Sequence, residues 1–399
     1  MNTSLPNRPL ERLAWGLLWL FVFSIPWQKS VGVPGLGTLS HLFGILAFAA
    51  AAAAAWRHRS LRPPNLAIAL AAAWVLWSAA TYFWSLDPPA TARRALTLFE
   101  LWVMLWLVWD LCRGPRRQTH LLQAYVLGAV AASALGVLRY WQGRQTYYRR
   151  YTAPGFDPND FGLILALAIP MALYLSLRGG RWTRWSSRAA ILAVIPGLLL
   201  TASRTALVAA LVGFAFALWT WRAADRWQRA ASLLLLALLL AGVFQFAPEH
   251  SRDRLATLPT ELTQGTLHNR TRIWKTGLKA LKSHPLAGVG SGAYPEAVRP
   301  WLGVPVRAGH QYVAHNTFLS VLVETGLAGF GLYALLFATL LVFVFVMPSA
   351  ERALWAVLLA GWAVGVSTLT WEHYKPSWLI MALITTEWAR SFWNEGEGE

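Results

Sequence analysis

The chain has 399 residues, of which 56% are apolar and 13% are charged, and its formal charge is +17. Apolar runs of the roughly 17–25 residues needed to cross a bilayer recur along its whole length, which excludes a soluble domain. The runs show no period-two alternation, which excludes a membrane β-barrel. Because the cations lie in loops between these runs, the charge indicates contact with anionic lipid, and we expect no nucleic-acid partner. The single cysteine, Cys112, excludes an intramolecular disulfide.

The hydropathy pattern predicts an all-α polytopic membrane protein with about twelve transmembrane helices. The first run lacks a small-residue cleavage site, so we interpret it as a retained helix. The tenth run is long enough to tilt or break near Gly326, Gly329 and Gly331. The predicted spans cover residues 13–28, 38–56, 66–84, 95–111, 120–141, 159–177, 189–203, 205–221, 230–247, 316–346, 353–371 and 377–392.

Three parts follow from this pattern: residues 1–247 with nine spans, a polar segment at 248–315, and residues 316–399 with three spans and the C-terminal tail. Every second short loop is rich in Arg, which predicts that those loops are cytoplasmic. Both termini are then cytoplasmic, and the 248–315 segment faces outward, into the periplasm if the source is a Gram-negative bacterium.

Basic residues also gather on the outward side. The 248–315 segment contains more Arg and Lys than Asp and Glu, and the loop before the sixth span adds Arg149 and Arg150, which could reach a lipid phosphate. Arg204 lies between the seventh and eighth spans, where a charge is costly unless it is paired or faces a cavity. The alternative is a helix-end Arg that extends to lipid headgroups. Together these cations predict an anionic ligand.

The string from Asn269 to Lys282 predicts a helix that carries two kinds of cation. Arg270 shares a face with apolar residues, and a buried Arg with five donors suits a pyrophosphate. The opposite face is a basic stripe directed at solvent or headgroups. The first face comprises Arg270, Trp274, Leu278 and Leu281, and the second comprises Arg272, Lys275, Lys279 and Lys282.

His315 is the sharpest catalytic candidate, because it stands where the polar segment re-enters the membrane and Asn316 follows it. Histidine is the usual general base at neutral pH. The alternative is a histidine that caps a helix or bonds a carbonyl. No pair of histidines in the outward segment has the i,i+4 spacing of a helical metal site, so we predict no metal.

Two turns and one intramembrane acid complete the candidates. The glycine-rich stretch around Gly290 could cradle a phosphate with its amides or form a tight turn that returns the chain to the membrane. Asp157 and Asn159 are natural turn and cap residues, and we interpret them as structural. Glu324, inside the tenth span, is expected to pair with an Arg.

The order of these motifs resembles the O-antigen ligase family of bacterial envelope proteins, which also contains O-antigen polymerases and pilin oligosaccharyltransferases. The resemblance covers residues 150 to 340, and the ordered set is more specific than any single motif. It is carried by Pro158-Asn159, Ser203-Arg204-Thr205, Arg270 four residues before Trp274, His284-Pro285-Leu286-Ala287-Gly288-Val289-Gly290, His315-Asn316-Thr317-Phe318-Leu319 and Glu324-Thr325-Gly326-Leu327.

The resemblance implies a GT-C-like, metal-independent glycosyltransferase of the bacterial inner membrane that needs no cofactor. Its partners would be membrane lipids, an undecaprenyl-pyrophosphate-linked glycan as donor and lipid A–core as acceptor, joined on the periplasmic side in lipopolysaccharide assembly. By carry-over, the catalytic residues are Arg204, Arg270 and His315, and the candidate substrate-binding residues are Arg272, Arg149, Arg150, Asn316 and Gly290.

Alternatives of three kinds remain open at this point. An O-antigen polymerase or a pilin oligosaccharyltransferase would share the motifs, and the single large outward segment favours the ligase. A transporter for an anion or an anionic lipid would also use a basic outward funnel, but we find no internal repeat and the cations lie on one side only. A non-catalytic scaffold would not require Arg204 at a span boundary.

Overall fold

This computed structural model describes residues 9–35, 37–58, 61–147, 150–220, 270–302 and 312–395, with five isolated positions between 226 and 237. Within these ranges the ordered structure is almost entirely α-helical. A small hairpin of β1 (Gly32–Val33) and β2 (Gly37–Thr38) joins the first two helices. The predicted fold class, an all-α polytopic membrane protein, is confirmed.

Helices occupy eleven of the twelve predicted spans, and the ninth span, 230–247, falls almost entirely outside the described residues. Among the residues that the structure describes, seven helical segments are long and apolar enough to cross a membrane: Pro9–Trp27, Leu39–Arg57, Leu66–Trp84, Pro115–Trp141, Pro158–Arg178, Thr317–Phe345 and Ser349–Val366. The helices are α1 (Pro9–Ser24), α2 (Leu39–His58), α3 (Leu66–Ala80), α4 (Pro88–Leu111), α5 (Pro115–Trp141), α6 (Pro158–Arg178), α7 (Arg181–Leu200), α8 (Arg204–Trp219), α9 (Arg270–Ser283), α10 (Tyr294–Leu302), α11 (Thr317–Phe345), α12 (Ser349–Val366) and α13 (Lys375–Glu395).

Consecutive long helices run in opposite directions, so alternate loops meet at one end of the bundle, which we name the site end. The site end comprises residues 25–35, 37–38, 81–87, 142–147, 150–157, 201–203, 284–293, 312–316 and 367–374. Hydrogen bonds between distant loops hold it together. They join Ser30 Oγ to Pro154 O (3.2 Å), Tyr151 N to Leu200 O (3.0 Å) and Leu86 N to Val289 O (2.9 Å).

The centre of the bundle is α6, in which 89% of the apolar stretch is buried. Glycines allow its neighbours to approach closely: a β-carbon at Gly162 would lie 2.6 Å from Ala206 Cβ, and one at Gly365 would lie 2.2 Å from Leu163 Cδ2. Helix α2 is the opposite case, because only 22% of its apolar stretch is buried. It therefore lies at the periphery, with most of its surface turned away from the protein core.

Helix α11 is broken at Gly326, as the sequence predicted, because this residue has a left-handed conformation (φ 67°, ψ −173°). Backbone groups freed by a break must find partners, since unsatisfied groups are costly inside a membrane. The 285–290 segment supplies them. Its bonds are Leu327 N to Pro285 O (2.9 Å), Ala328 N to Leu286 O (3.1 Å), Val289 N to Val323 O (3.1 Å) and Gly290 N to Glu324 O (2.9 Å).

Helices α9 and α10 pack on each other and form a small second core over the site end. Tyr294 Oη donates to Ile273 O at 3.0 Å, and Gly277 leaves room for the Tyr294 ring. The buried face of α9 consists of Ile273, Thr276, Gly277 and Ala280. Leu278, predicted on that face, is 46% exposed, so this part of the prediction was wrong: α10 packs against the smaller side chains. Lys275, Lys279 and Lys282 are exposed, as expected.

Candidate active site

His315 is held in a conformation that non-glycine residues seldom adopt, with φ 47°. Bonds on both sides fix it there. Trp274 Nε1 donates to Ala314 O at 2.8 Å, and Asn316 caps α11 by accepting from Leu319 N at 3.0 Å. The backbone on either side of His315 is therefore held by one hydrogen bond from α9 and one from α11.

Ala202 is the other non-glycine residue with positive φ (49°) among those that the structure describes. It forms the turn between α7 and α8, just before Ser203, whose Oγ accepts from Ala206 N at 3.3 Å and caps α8. Arg204 is the first residue of that helix. Such backbone conformations cost about 1–3 kcal/mol and cluster at functional sites. Both outliers thus flank candidate catalytic residues.

The starts of α8 and α11 are joined by one loop. Thr368 Oγ1 donates to Thr205 Oγ1 at 2.9 Å, and Thr317 Oγ1 donates to Leu369 O at 2.8 Å. Two adjacent loop residues therefore bond the residue after Arg204 and the first residue of α11. This arrangement places Arg204 and His315 at the same end of the bundle.

Arg270 and Asp157 both act on the charge of His315. Burial of the imidazole and, to a smaller extent, the nearby Arg270 guanidinium lower the pKa of His315 to about 4, and Asp157 opposes them. At neutral pH the ring is therefore uncharged and retains a lone pair that can accept a proton. Arg270 and His315, which are separated by 45 positions in the sequence, are thus close enough in the structure for one charge to act on the other.

Arg150 is buried and bonds protein groups. Its Nε donates to Thr201 O at 2.6 Å, and its Nη2 donates to Asn159 Oδ1 at 2.8 Å. Asn159 N in turn donates to Asp157 Oδ1 at 2.8 Å, so the cap predicted at Asp157 is present. Arg150 thus holds the strained turn that precedes Arg204, a role that differs from the expected contact with a lipid phosphate. Arg149 lies outside the described residues.

Three further candidates have partners within the protein. The Gly290 amide donates to Glu324 O at 2.9 Å, and a β-carbon at this residue would lie 2.1 Å from Ser85 Oγ. Gly290 therefore serves close packing in this conformation, because its amide already has a partner. The Arg272 guanidinium donates to Leu302 O and ties α9 to α10. The Asn316 side-chain oxygen is used by its helix cap.

Glu324 bonds a backbone amide, since its Oε2 accepts from Gly292 N at 2.7 Å. The Arg94 guanidinium acts on the charge of Glu324, and it contacts a second acid, Glu372, which lies 3.1 Å from His373 Nδ1. Burial of Glu372 disfavours its charge, but His373 and Arg94 outweigh burial and lower the pKa of Glu372 to about 2. The sequence revealed Glu372 as an acid but offered no signal for its partner, which is 278 positions away.

Asp160 is a buried acid that contacts the loop of residues 367–374. Asp160 accepts from Trp371 Nε1 at 2.8 Å and from Tyr374 Oη at 2.7 Å, and Lys29 Nζ lies 3.9 Å from its Oδ2. Burial and the Asp160 charge raise the pKa of Tyr374, so its hydroxyl remains a donor at neutral pH. Asp160 lies on the first turn of α6, three residues after Asp157, and Asp157 acts on the charge of His315. The start of α6 therefore connects the Asp160 contacts to His315.

A polar cleft of about 360 Å³ opens next to the segment that leads to His315. Arg93 and Arg94 of α4, Arg299 of α10 and Tyr312 are among the residues that line it. Tyr312 precedes His315 by three residues. The cleft therefore offers guanidinium donors next to the described segment that leads to His315, although His315 itself is not among its lining residues.

The fold and this site define a polytopic helical membrane protein that sets an uncharged imidazole beside a guanidinium at one end of its bundle. Residues 189–334 match the model of the O-antigen ligase family. This match contains the motifs at Arg204, Arg270, His315 and Glu324, and it confirms the resemblance to that family over this part of the chain.

Two relatives extend the similarity beyond the matched region. The chain is 28% identical over 288 residues to the exopolysaccharide production protein ExoQ of Rhizobium meliloti, which covers 67% of this chain and 63% of that protein. It is 29% identical over 284 residues to an O-antigen ligase of Pseudomonas aeruginosa, which covers 66% of this chain and 62% of that protein. The chain therefore spans less than two thirds of the length of either relative.

Proposed function

We propose that this protein transfers a glycan from undecaprenyl pyrophosphate to a sugar hydroxyl of lipid A–core, at the periplasmic side of the bacterial inner membrane. The family match and the similarity to an O-antigen ligase support this proposal. The observation that carries it is the geometry of His315, whose uncharged ring is fixed by a left-handed backbone next to Arg270.

The donor already contains a good leaving group, so the protein must stabilise the charge that grows on the departing pyrophosphate. Arg204 and Arg270 bind that group, because a guanidinium offers paired donors that match phosphate oxygens. Stabilising charge that develops in the transition state is commonly the largest single contribution to catalysis. Arg150 positions Arg204 through Thr201, and it takes no part in the chemistry.

His315 accepts the proton of the acceptor hydroxyl as that oxygen attacks the anomeric carbon. The new glycosidic bond forms, the bond from the anomeric carbon to the pyrophosphate oxygen breaks, and its electron pair leaves with the lipid pyrophosphate. One displacement of this kind inverts the anomeric centre. The negative pyrophosphate also offsets the positive field of Arg270, which makes His315 a stronger base once the donor is bound.

A second candidate function follows from the similarity to a protein of exopolysaccharide production. In that case the acceptor hydroxyl belongs to another lipid-linked glycan, and the reaction is polymerisation with the same roles for Arg204, Arg270 and His315. Transfer to a pilin protein is a third acceptor choice within the same chemistry. A transporter of anionic lipid would use the cations without any bond formation.

The deciding experiment uses the purified full chain in liposomes with a glycan on undecaprenyl pyrophosphate, a chelator and no ATP. We expect transfer to lipid A–core, since guanidinium groups supply the positive charge that a metal would supply elsewhere. Transfer only to a second lipid-linked glycan identifies a polymerase, and transfer only to a pilin identifies a protein glycosylating enzyme. Absence of transfer to every acceptor, with the donor still bound, contradicts the proposal.

A further inference from the structure

The basic stripe of α9 takes no part in the proposed transfer. Lys275, Lys279 and Lys282 are exposed, and the sequence of α9 contains no acid. None of the three forms an ion pair with an acid in the described part of the chain, and Lys279 Nζ lies 5.7 Å from the centre of the Trp301 ring. A helix face with three such cations favours an anionic partner.

Exposed leucines accompany these lysines. Leu278 lies on the same helix face, about 40° around the helix from Lys282 and about 60° from Lys275, at 100° per residue. Leu286, which is 69% exposed, follows the end of α9 by three residues. Lysines and leucines side by side on an exposed helix face are typical of helices that lie in the interface of a membrane.

The lengths of two helices indicate the depth of this region. The part of α11 after Gly326 covers residues 327–345, and α12 has 18 residues. Both begin at the turn of residues 346–348 and run to the site end. At 1.5 Å per residue they are roughly 27–29 Å long, close to the roughly 30 Å of a hydrocarbon core. The break in α11 and the end of α12 therefore lie at the same depth, near the bilayer surface.

The first part of α11, residues 317–325, consequently runs along that surface. It begins at the depth of the loop after α12, because Thr317 Oγ1 donates to Leu369 O at 2.8 Å and accepts from Trp371 N at 2.8 Å. It ends at the break at Gly326, which lies at the same depth. A helix whose two ends share one depth lies parallel to the bilayer.

Helix α9 accompanies this part of α11 from end to end. Near its start, Trp274 Nε1 donates to Ala314 O, three residues before α11 begins. Just beyond its end, Pro285 O accepts from Leu327 N at 2.9 Å, and Leu286 O accepts from Ala328 N at 3.1 Å. Helix α9 therefore also lies along the bilayer surface.

Aromatic side chains mark the same depth. The turn Thr81–Trp84 exposes Tyr82 and Phe83, and the Phe83 side chain is 85% exposed. Trp84 of this turn donates from Nε1 to Ala287 O at 3.2 Å, which places it beside Leu286. Exposed aromatic residues at the end of an apolar helix are typical of the membrane–water interface. The Leu286 end of α9 thus adjoins lipid.

We propose that α9 is an interfacial helix that binds anionic phospholipids. Leu278 and Leu286 enter the edge of the hydrocarbon layer, and Lys279 and Lys282 extend to the lipid phosphates. The leucines favour a lipid over a soluble anion. The lysines favour a headgroup with net negative charge over a zwitterionic one, because no acid of α9 offsets them.

This contact would set the height of Arg270, the first residue of α9, above the bilayer. Trp274 would transmit the same constraint to Ala314, next to His315. The inference goes beyond the proposed function, because lipid binding by α9 requires no glycan transfer.

Insertion is tested with a nitroxide at Leu278→Cys, in the full chain in nanodiscs of phosphatidylcholine and phosphatidylglycerol. The single native cysteine, Cys112, is buried, so the label attaches at the new position. We expect this nitroxide to be more accessible to oxygen, which dissolves in lipid, than to a water-soluble nickel chelate. Arg144→Cys, on an exposed residue of another loop at the site end, is the matched control and should show the reverse. Preference for the nickel chelate at both positions overturns the proposal.

The phosphate contact is tested by titrating phosphatidylglycerol into phosphatidylcholine nanodiscs while the mobility of the nitroxide at position 278 is recorded. We expect anionic lipid to slow the label. Lys279→Gln combined with Lys282→Gln should weaken the apparent affinity for phosphatidylglycerol at least fivefold, since each lysine near an anionic surface contributes about fivefold. Arg144→Gln is the control and should leave the titration unchanged. Equal affinities with and without the two lysines overturn the proposal.

Two more arms separate the outcomes. Inorganic phosphate that slows the label equally in pure phosphatidylcholine would show a site for soluble anions and would overturn the proposal. His315→Ala is expected to bind phosphatidylglycerol like the wild-type protein. If α9 binds anionic lipid through Lys279 and Lys282 but the protein transfers no glycan, the interfacial helix stands and only the transferase proposal fails.

Discussion

The Arg270 guanidinium lies close enough to the His315 imidazole to depress the pKa of that ring, and burial acts in the same direction. An uncharged imidazole and a guanidinium are thereby placed side by side at the start of α11. Burial and the neighbouring cation both resist protonation of the ring, so it is uncharged at neutral pH. In the proposed reaction, a pyrophosphate bound at Arg270 would offset the positive field of that residue and make protonation of the ring easier.

The pH dependence of transfer follows from the pKa of His315, which is about 4 in the free protein. The uncharged base is present above this value, so we expect kcat/KM to stay level from about pH 7 to about pH 5 and to fall only as the pH approaches 4. The acid limb of kcat should lie at higher pH, because the bound pyrophosphate raises the pKa of His315. A kcat/KM limb near pH 6.5, the ordinary value for histidine, would contradict this assignment.

His315→Ala should reduce transfer about 10²- to 10⁴-fold, the usual contribution of a general base, while leaving donor binding largely intact. The matched control is His284→Ala, because His284 is an exposed histidine of the same outer region. Transfer by the reconstituted protein and binding of the lipid-linked donor measure the two effects. Normal glycan transfer by His315→Ala would remove the general-base role.

Arg204→Lys should raise KM for the donor and lower kcat/KM about 10- to 100-fold, since an ammonium cannot offer two parallel donors to a pyrophosphate. Arg270→Lys should behave in the same way. Arg299→Lys is the matched control, because Arg299 is exposed and pairs with Glu296 three residues earlier at 2.8 Å. Arg204→Lys and Arg299→Lys proteins with the same kinetics would exclude a paired-donor contact at Arg204.

Gly326→Ala should destabilise the protein by about 1–3 kcal/mol or more, because alanine resists positive φ and its β-carbon would lie 2.3 Å from Leu286 O. Gly331→Ala is the matched control on the same helix, where a β-carbon would meet nothing within 4 Å. Thermal unfolding in detergent measures both. If the two variants unfold at the same temperature, the break at Gly326 is not required.

Arg150→Met should cost about 1–3 kcal/mol of unfolding free energy, because Thr201 O loses a buried donor. It should also raise KM for the donor, since the turn before Arg204 loosens. Asn159→Ala should remove part of the same contact, so the two changes together should cost less than their sum. Arg144→Met, on an exposed residue of the same loop, provides the control and should match the wild-type protein in both measurements. If the losses of unfolding free energy caused by Arg150→Met and Asn159→Ala simply add, the hydrogen bond between these two residues does not contribute to stability.

Motif order and glycine placement predicted the break in α11 and the proximity of Arg270 and His315. The break at Gly326 could be expected because three glycines interrupt a long apolar run, and the joint position of Arg270 and His315 could be expected from the family resemblance. The helix at 270–283 was predicted from periodicity, but its buried face was not, because Leu278 is displaced by the packing of Tyr294 against Gly277. The spacing of apolar residues along one helix cannot predict a contact with a residue of another helix.

Other features of the structure could not be predicted from the sequence. Ala202 adopts a left-handed conformation although alanine has no preference for it, and the surrounding bonds impose it. Arg150 looks like any loop cation, and its partner Thr201 is 51 positions away. The pairing of Glu372 with Arg94 spans a still longer separation. Buried ion pairs of this kind depend on the assembled bundle, and no local pattern specifies them.

The bond from Trp274 to Ala314 sets the position of the imidazole independently of the chain that leads to it. The backbone is anchored immediately before His315, at Ala314, and immediately after it, at Asn316. Changes elsewhere in the polar segment can therefore leave the imidazole in place as long as these two bonds remain. The position of the ring and the sequence of the surrounding segment can diverge separately in such a protein.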